Sequence, residues 1–361
     1  MPKASSKETN LRLRGSKRMS MPAAKRVPKS EHAKSDHPST YRTPKPSRSG
    51  SGPAGRLEIS GGGSKLELTI AGRSVALTNL DKLFWTKEKI TKGDLIQYYA
   101  DISTVLLPHL LERAMVMKRY PNGADGPFFF QKHAPKQRPE WIPICEILHP
   151  SANLVDFPVV SDVAVLLWTV NLGCIDLNPW YARCDDVDRP DFLHFDLDPT
   201  PGADFARVRE AALAVRKALE SLKLPCYPKT SGSRGIHVYV PIEYGPTQKQ
   251  VWTFAKHFAH AVVGEAPKLL TAIYQVSKRP KGRVLVDYNQ NAWGRTLASV
   301  YSVRPKDRPT VSTPLKWSEL ERGVALDDFR IDNVPARVRR LGDLFKPLVA
   351  KKGRFRLEAY L

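Results

Sequence analysis

The chain has 361 residues, of which 57 are Lys or Arg and 36 are Asp or Glu, so its formal net charge is +21. Residues 1–56 hold fourteen Lys or Arg and three Asp or Glu, yet the remainder is still basic, as in proteins that bind a polyanion such as nucleic acid. Four scattered cysteines without a C-x-x-C pair argue against a disulfide framework or a zinc site. The longest largely apolar run, residues 163–170, is too short to cross a membrane. We therefore expect a soluble intracellular protein.

The N-terminal segment has the composition of a disordered tail. Residues 1–56 are rich in Lys, Arg, Ser and Pro and show no apolar period, so they bury too little surface to offset the loss of chain entropy. Such a tail can attract DNA non-specifically or simply keep the protein in solution, and both roles stay open. Residues 57–65 contain a Gly/Ser-rich run and are predicted to be a linker, which leaves residues 66–361 as the folded domain.

The first folded elements are predicted to carry a small cationic pocket. The alternation within residues 66–77 indicates a hairpin, and Thr91 is placed to cap a helix. Asn79, Lys82 and Lys92 lie near this helix start, where the helix N-terminus also favours an anion. From spacing alone, these residues are equally compatible with solvated surface positions.

Three consecutive aromatic residues follow a strand predicted over residues 115–120. Phe128, Phe129 and Phe130 cannot all face the same side of a strand, because successive side chains alternate between its faces. At least one is therefore exposed or faces a second layer, and an exposed Phe beside basic residues can act as a platform on which bases stack. The alternative is two core residues and one without a function.

The most informative stretch is residues 192–199, with the sequence FLHFDLDP. It alternates as a strand, so Asp196 and Asp198 share a face about 6–7 Å apart, where they can bind hard divalent cations. An isolated Asp-x-Asp is also compatible with a strand end that carries two solvated acids. Asp287 ends a second apolar strand, over residues 283–287, and can supply a third carboxylate.

A helix predicted over residues 203–223 leads to a loop that is rich in Gly and Ser. Residues 230–241 have the sequence TSGSRGIHVYVP, and flexible backbone amides, hydroxyls, an Arg and a His are what a phosphate chain needs. The segment is not a P-loop, because the G-x-x-x-x-G-K-[ST] spacing is absent and a strand follows. On its own, the turn is also compatible with a structural role. Arg295 and Arg304 lie downstream.

The combination of three strand-borne carboxylates, a loop suited to phosphate, further cations and aromatic residues fits two-metal nucleotidyl transfer. The segments H-F-D-L-D-P, S-G-S-R-G-I-H-V-Y and V-D-Y-N-Q-N resemble the three motifs of the archaeo-eukaryotic primase superfamily. More narrowly, the chain from about Leu66 to its C-terminus resembles the polymerase domain of bacterial DNA ligase D, used in non-homologous end joining.

The resemblance implies an α+β fold with a primase-type core, in which a mixed central sheet is flanked by helices. It implies four groups of site residues: metal ligands Asp196, Asp198 and Asp287; nucleotide-binding residues Lys118, Ser231, Arg234, His237, Gln290, Arg295 and Arg304; DNA 5′-phosphate-binding residues Asn79, Lys82 and Lys92; and template-stacking residues Phe129 and Phe130. The implied cofactors are two Mn²⁺ or Mg²⁺ ions, and the substrates are NTP or dNTP.

The implied reaction adds nucleotides, preferably ribonucleotides, to a DNA 3′ end at a gap or break. It is guided by a template and anchored by the 5′-phosphate of the downstream strand. The implied partners are DNA, the end-binding protein Ku and a DNA ligase, in the bacterial cytoplasm at the nucleoid. Asn178 stands where many relatives carry His, so nucleotide affinity or sugar preference is expected to differ. Since no K-x-D-G ligase motif occurs in the sequence, we expect a stand-alone polymerase that works with a separate ligase.

Three other functions share part of these features. A metal-dependent nuclease or phosphoesterase would use the same carboxylates with water as the nucleophile, but hydrolysis needs no loop for a triphosphate. A non-catalytic module that bridges DNA ends would depend on the 5′-phosphate pocket and the tail, and it would tolerate Asp196→Ala. A de novo primase shares every active-site residue and differs in making a dinucleotide without a primer.

Overall fold

The structure, a computed structural model, describes residues 37–43, 56–59, 63–149 and 151–361. The strands are β1 (Ser39–Arg42), β2 (Lys65–Ile70), β3 (Arg73–Thr78), β4 (Leu83–Trp85), β5 (Ile90–Thr91), β6 (Met115–Arg119), β7 (Phe129–Gln131), β8 (Ile144–Leu148), β9 (Leu154–Pro158), β10 (Cys174–Pro179), β11 (Ala182–Arg183), β12 (Asp186–Pro190), β13 (Phe192–Pro199), β14 (Tyr227–Thr230), β15 (Ile236–Pro241), β16 (Leu270–Thr271) and β17 (Val284–Asp287). The helices are α1 (Lys92–Asp101), α2 (Ser103–Leu110), α3 (Val163–Asn171), α4 (Phe205–Ser221), α5 (Gln248–Glu265), α6 (Trp317–Arg322) and α7 (Val334–Leu341). None of the helices in these ranges is long and apolar enough to cross a membrane.

Five strands form the central sheet, in the order β14–β15–β13–β17–β16. Neighbouring strands run antiparallel except β16 and β17, which are parallel, so the sheet is mixed and the predicted α+β fold is confirmed. Leu193, Phe195 and Leu197 are fully buried on one face of β13, where α4 and α5 pack against the sheet. Because side chains alternate along a strand, the opposite face carries the predicted acids.

The two helices that cover the central sheet begin at capped residues. Asp204 caps α4 and Thr247 caps α5, each by accepting a backbone N–H of the first turn. Phe258 of α5 packs against Phe195 of β13, with ring centroids 4.7 Å apart. Since truncation of a buried Phe to Ala costs about 3–5 kcal/mol, this contact is a substantial part of what holds the helices on one face and leaves the acids on the other.

Smaller sheets make up the N-terminal half of the fold. Strands β2 and β3 form the predicted antiparallel hairpin, and β10, β6 and β7 form a three-stranded sheet in that order. Thr91 caps α1 through a capping box, as predicted. The Tyr99 hydroxyl of α1 donates to the carbonyl of Ile175 on β10 at 2.7 Å. The helix that begins at Lys92 is thereby tied to the sheet that carries Lys118.

Two short pieces of the predicted tail and linker belong to the folded body. Strand β1 pairs antiparallel with β8, and Tyr41 packs against a small second core. Ile59 is buried, and its amide donates to the Gln97 side chain at 2.7 Å. For these residues the prediction of disorder and of a linker is wrong, because β1 pairs with the edge of a strand distant in sequence and Ile59 joins the main hydrophobic core. The rest of both segments, residues 1–36, 44–55 and 60–62, lies outside the described residues.

Candidate active site

Polar side chains form a row across the central sheet. Strand register places Lys229 of β14 opposite His237 of β15, and His237 opposite Asp196 of β13. Asp196 in turn lies opposite Asp287 of β17, and Asp198 shares the face of Asp196 because it lies two residues further along β13. We call Lys229, His237, Asp196 and Asp287 the cross-sheet row. The structure therefore brings the three predicted acids to one face, beside His237.

The three acids repel one another and are shielded from water. Burial raises the pKa of Asp196 to about 6. The Asp196 carboxylate, followed by burial, raises the pKa of Asp198 to about 7. Burial and Asp196 also raise the pKa of Asp287. Clustered carboxylates with raised pKa values are short of positive charge, so a cation among them would stabilise their charged forms.

The acids offer a donor set that suits a divalent cation, since Mg²⁺ and Mn²⁺ prefer oxygen ligands. Asp196 Oδ1 is buried without a hydrogen-bond partner among the described residues. His237 Nε2 lies 3.2 Å from it but not with the geometry of a hydrogen bond. In the part of the chain that the structure describes, no three His, Cys, Asp or Glu side chains form a group that could hold a metal ion. The acids therefore supply oxygen donors of the type that a divalent cation prefers, without forming a complete ligand cage.

The predicted phosphate loop, residues 230–235, is a tight turn held by Ser231. The Ser231 hydroxyl accepts hydrogen bonds from two backbone amides of the loop, at 3.1 and 3.0 Å. Gly235 has no room for a side chain, because a Cβ atom would overlap the carbonyl oxygen of Leu197 and come within 3.1 Å of Asp198 Oδ1. The loop therefore presses against the end of β13, beside the acids.

Two of the predicted nucleotide-binding cations share a buried acid, Asp176, to which the sequence analysis gave no role. Lys118 Nζ lies 3.4 Å from Asp176 Oδ2, and Arg304 Nε lies 3.0 Å from Asp176 Oδ1. Arg304 also donates to the carbonyl of Ser231 at 3.1 Å, which links these cations to the phosphate loop. The observation that identifies Asp176 is its position opposite Lys118 on the neighbouring strand, and this pairing cannot be read from the sequence.

The remaining predicted nucleotide-binding residues lie around the same face. Gln290 donates to Asp287 Oδ2 at 3.2 Å. Arg234 and Arg295 are exposed, and Arg234 opposes the rise in the pKa of both acids of β13, so its charge lies near them. Asn178 is buried and donates to a backbone carbonyl of its own strand at 3.1 Å.

Lys229 is a second residue of the site to which the sequence analysis gave no role. It is fully buried, and its Nζ lies 2.9 Å from His237 Nδ1. Burial and the charge of Arg304 lower the pKa of Lys229, whereas Asp196 raises it. Burial, Lys229 and Arg304 lower the pKa of His237 well below its usual value.

The three consecutive phenylalanines are all exposed, by 49, 44 and 59% for Phe128, Phe129 and Phe130, so the alternative with two core residues is wrong. Register places Phe130 opposite Lys118 and Phe129 opposite Arg119. The Lys118 ammonium lies 4.0 Å from the ring centroid of Phe128, which packs edge to face with Phe130. Phe129 instead lies 5.3 Å from the Arg119 guanidinium. The two predicted stacking residues therefore face opposite sides of the sheet.

In the predicted 5′-phosphate pocket, the cations have neutral partners. Lys92 is buried, and its Nζ donates to the carbonyl of Thr78 at 2.6 Å and to Asn171 Oδ1 at 2.8 Å. Burial, followed by the charges of Lys82 and Arg119, lowers the pKa of Lys92 to about 8. Lys82 is exposed and donates to a backbone carbonyl at 2.8 Å and to a side-chain amide at 3.2 Å.

Asn79 completes this pocket. It is exposed and has a φ of 55°, a left-handed conformation that Asn tolerates better than most residues. Its carbonyl accepts a hydrogen bond from the amide of Lys82, and the next carbonyl, of Leu80, accepts one from Gly93 at the start of α1. The three predicted residues are therefore gathered at a helix N-terminus, where anions are favoured.

The sequence and fold match known proteins. A family model described as "LigD, primase-polymerase domain" matches residues 91–345. The multifunctional non-homologous end joining DNA repair protein LigD of Mycobacterium tuberculosis (strain ATCC 25618 / H37Rv) is 33% identical over 284 residues, which cover 76% of this chain and 37% of that protein. The bifunctional non-homologous end joining protein LigD of Bacillus subtilis (strain 168) is 32% identical over 266 residues, which cover 73% and 42%. The chain spans about two fifths of the length of these relatives.

A solved structure shows the same fold. The polymerase domain from Mycobacterium tuberculosis ligase D, in complex with DNA, matches with a TM-score of 0.72 and 32% sequence identity, over 77% of this chain and 98% of that chain. The fold that the three motifs implied is therefore confirmed. With a family model matched over most of its length and a relative of the same fold at this identity, the chain belongs to the LigD primase-polymerase domain family.

Proposed function

We propose that this chain adds nucleotides to DNA 3′ ends under the guidance of a template, during the repair of double-strand breaks by non-homologous end joining. One observation carries the proposal: three carboxylates and the loop of residues 230–235 meet on one sheet face in a chain of this family. Transfer of a nucleotide from a triphosphate requires acids that hold cations and, beside them, donors that hold phosphates.

The acids of the sheet are proposed to hold the cofactor. Asp196, Asp198 and Asp287 would bind two Mn²⁺ or Mg²⁺ ions, which when bound activate the attacking 3′-hydroxyl and neutralise the triphosphate. The unpaired oxygen of Asp196 supports this assignment. Gln290, which donates to Asp287 at 3.2 Å, would orient that carboxylate.

The nucleotide is proposed to lie between the phosphate loop and the shared acid, Asp176. The exposed guanidinium of Arg234 and the amides of the loop would bind phosphate oxygens. Lys118 and Arg304 are held by Asp176, so they are oriented before the nucleotide arrives. The residues proposed to face the nucleotide are Lys118, Ser231, Arg234, His237, Gln290, Arg295 and Arg304.

The DNA is proposed to contact two further groups. Template bases would stack on Phe129 and Phe130, whose exposure supports such a role. The 5′-phosphate of the downstream strand would bind Asn79, Lys82 and Lys92, which gather at the start of α1. Because the chain is strongly basic, residues 1–56 would add non-specific attraction to DNA.

Finer points of the function rest on the family resemblance. We include in the proposal a preference for ribonucleotides, and cooperation with Ku and with a separate DNA ligase in the bacterial cytoplasm. The amide of Asn178, in place of the His of many relatives, would alter nucleotide affinity or sugar preference, because an amide carries no charge.

Primer extension tests the proposal. A labelled primer on a gapped duplex is incubated with Mn²⁺ and either rNTPs or dNTPs, with wild type, Asp198→Ala and Glu265→Ala. Glu265 is an exposed acid at the end of α5 and serves as the matched control. We expect extension by wild type and Glu265→Ala but not by Asp198→Ala, with rNTPs preferred.

Other outcomes point to other functions. A shortened primer without added nucleotide would support a nuclease, and a dinucleotide made without a primer would add de novo primase activity. Phosphate-dependent DNA binding without extension would support a bridging module and contradict the proposal.

A further inference from the structure

The sheet of β10, β6 and β7 carries a cation and an aromatic ring on each of its faces. On one face, Lys118 lies opposite Phe130, beside the proposed nucleotide site. On the other face, Arg119 lies opposite Phe129, and its guanidinium lies over the Phe129 ring, 5.3 Å from the ring centroid. Arg119 has no role in the proposed function, and its surroundings indicate one.

Two donors fix the position of the Arg119 guanidinium, and neither acceptor carries a charge. Nε donates to the carbonyl of Leu172 at 2.7 Å, and Nη1 donates to Gln131 Oε1 at 2.7 Å. Among the described residues, no acid forms an ion pair with Arg119, and Nη2 has no hydrogen-bond partner. Because a guanidinium has five N–H donors, this side chain is held in place and still has donors for an anion.

The C-terminal end of α3 holds Arg119 beside Lys92. Asn171, the last residue of α3, accepts from Lys92 Nζ at 2.8 Å, and the next residue, Leu172, accepts from Arg119. The carbonyl end of a helix favours cations. Burial, followed by the charges of Lys82 and Arg119, lowers the pKa of Lys92, so these cations lie close enough to repel one another.

Lys82 is tied to the turn that follows Arg119 along the chain. Its Nζ donates to the carbonyl of Pro121 at 2.8 Å and to Asn122 Oδ1 at 3.2 Å. Lys82, Lys92 and Arg119 are therefore gathered with neutral hydrogen-bond partners, so the binding of an anion would relieve their mutual repulsion. A terminal phosphate, with up to two negative charges, is such an anion.

We infer that Arg119 binds the 5′-phosphate of the downstream strand together with Lys92, and that Phe129 stacks on the terminal base pair of that duplex, which includes a template base. The guanidinium lies over the Phe129 ring, and 44% of the side chain is exposed, so the ring has an open side for a base. The 5′-phosphate and the terminal base belong to one nucleotide, as the contact between cation and ring requires. The inference rests on the proposed function, which supplies 5′-phosphorylated DNA.

DNA binding without metal or nucleotide tests the role of Arg119. Fluorescence anisotropy compares gapped duplexes with and without the downstream 5′-phosphate for wild type, Arg119→Met and Arg207→Met. Arg207 of α4 also donates to two backbone carbonyls and serves as the matched control. We expect Arg119→Met to reduce the preference for the phosphate by about tenfold and Arg207→Met to keep it. An equal loss of affinity for both duplexes in Arg119→Met would overturn the proposal.

An abasic site at the 5′-terminal position of the downstream strand tests the stacking on Phe129. It should weaken binding to the wild type by about tenfold, as expected for loss of one stacked base, and should cause no further loss in Phe129→Ala. In Phe130→Ala, on the opposite face of the sheet, the full effect of the abasic site should remain. Losses that add up in Phe129→Ala would contradict the proposal.

Chemical modification of the wild type tests Arg119 without any dependence on how a variant folds. Phenylglyoxal reacts with accessible guanidinium groups, and mass spectrometry of the peptides measures how much Arg119 has reacted. At equal occupancy, we expect the 5′-phosphorylated duplex to protect Arg119 several-fold better than the unphosphorylated one. Equal protection would overturn the proposal. Since no measurement here requires nucleotide addition, a chain that binds DNA in this way but extends no primer would contradict the proposed function alone.

Discussion

The two cationic sites of this chain are built differently. Beside the phosphate loop, Lys118 and Arg304 share the carboxylate of Asp176, so their positive charge is partly offset before a ligand arrives. At the start of α1, the buried Lys92 donates to a carbonyl and to a side-chain amide, and no acid among the described residues is paired with it. The first arrangement suits a ligand that arrives with metal ions, whereas the second suits a bare phosphate. We therefore expect a substitution in one site to leave ligand binding at the other site unchanged.

The largest expected effect is loss of an acid from the cross-sheet row. Asp287→Asn should lower the rate of primer extension by at least about 10³-fold, because a neutral amide cannot hold the metal ions that the reaction requires. Binding to a gapped duplex with a 5′-phosphate should persist, since the pocket at α1 is untouched. Loss of DNA binding in this variant, with the fold intact by circular dichroism, would show that the sites are not separate.

The next largest effect concerns the pocket at α1. Lys92→Met should reduce the preference for 5′-phosphorylated gapped DNA by about 10- to 100-fold, the size of a charge-assisted hydrogen bond. Fluorescence anisotropy with matched phosphorylated and unphosphorylated duplexes measures this preference. Lys87→Met, an exposed lysine shortly before α1, is the control and should keep the preference. An equal loss in both variants would indicate general charge attraction.

A rise in pH should strengthen Mn²⁺ binding at the acids and weaken the preference for a 5′-phosphate at Lys92. Protons compete with cations at Asp196 and Asp198, whose pKa values are raised to about 6 and about 7, so Mn²⁺ affinity should rise by about tenfold or more per pH unit up to about pH 7 and then level off. Lys92, with a pKa lowered to about 8, loses its charge as pH rises through that value, so the 5′-phosphate preference should decline.

Two titrations measure these pH effects: Mn²⁺ binding by calorimetry below about pH 8, and DNA binding without metal from about pH 7 to about pH 9. Asp198→Asn should flatten the first profile and leave the second unchanged. A single profile shared by both sites would contradict the comparison.

The smallest expected effects separate the two faces of β7. Phe130→Ala, on the side of Lys118, should weaken template-dependent nucleotide binding by about tenfold, as expected for loss of one stacked base. Phe129→Ala, on the side of Arg119, should leave nucleotide binding nearly unchanged and instead weaken the stacking of template bases away from the nucleotide, which lowers affinity for the DNA. Steady-state kinetics at varied nucleotide and varied DNA distinguish the two, and identical effects would show that the faces act together.

Local patterns in the sequence were enough to predict the main elements. The hairpin over residues 66–77, the cap at Thr91 and the strand with Asp196 and Asp198 are all confirmed. Each depends on a signal carried by a few consecutive residues, such as alternation or a capping side chain. The proximity of Asp287 to these acids was expected because it ends an apolar strand and because of the family resemblance. No local pattern predicts it.

Features that depend on pairing between distant strands could not be predicted. Strand register places Lys229 opposite His237 and Asp176 opposite Lys118. The side of the sheet that Phe129 faces likewise depends on the register of β7. A shift of one residue in any of these pairings would turn the side chains to the other face. Strand β1 also could not be predicted from the composition of residues 1–56, because its partner β8 lies far along the chain.

The most direct test of the proposed function is primer extension on gapped duplexes that carry or lack a downstream 5′-phosphate, with wild type, Lys92→Met and Asp198→Ala. We predict that the 5′-phosphate improves extension by wild type and that Lys92→Met extends phosphorylated gaps no better than unphosphorylated ones. Asp198→Ala should extend neither substrate while still binding the phosphorylated one more tightly. Extension by Asp198→Ala, or an equal loss on both gaps in Lys92→Met, would contradict the proposed function.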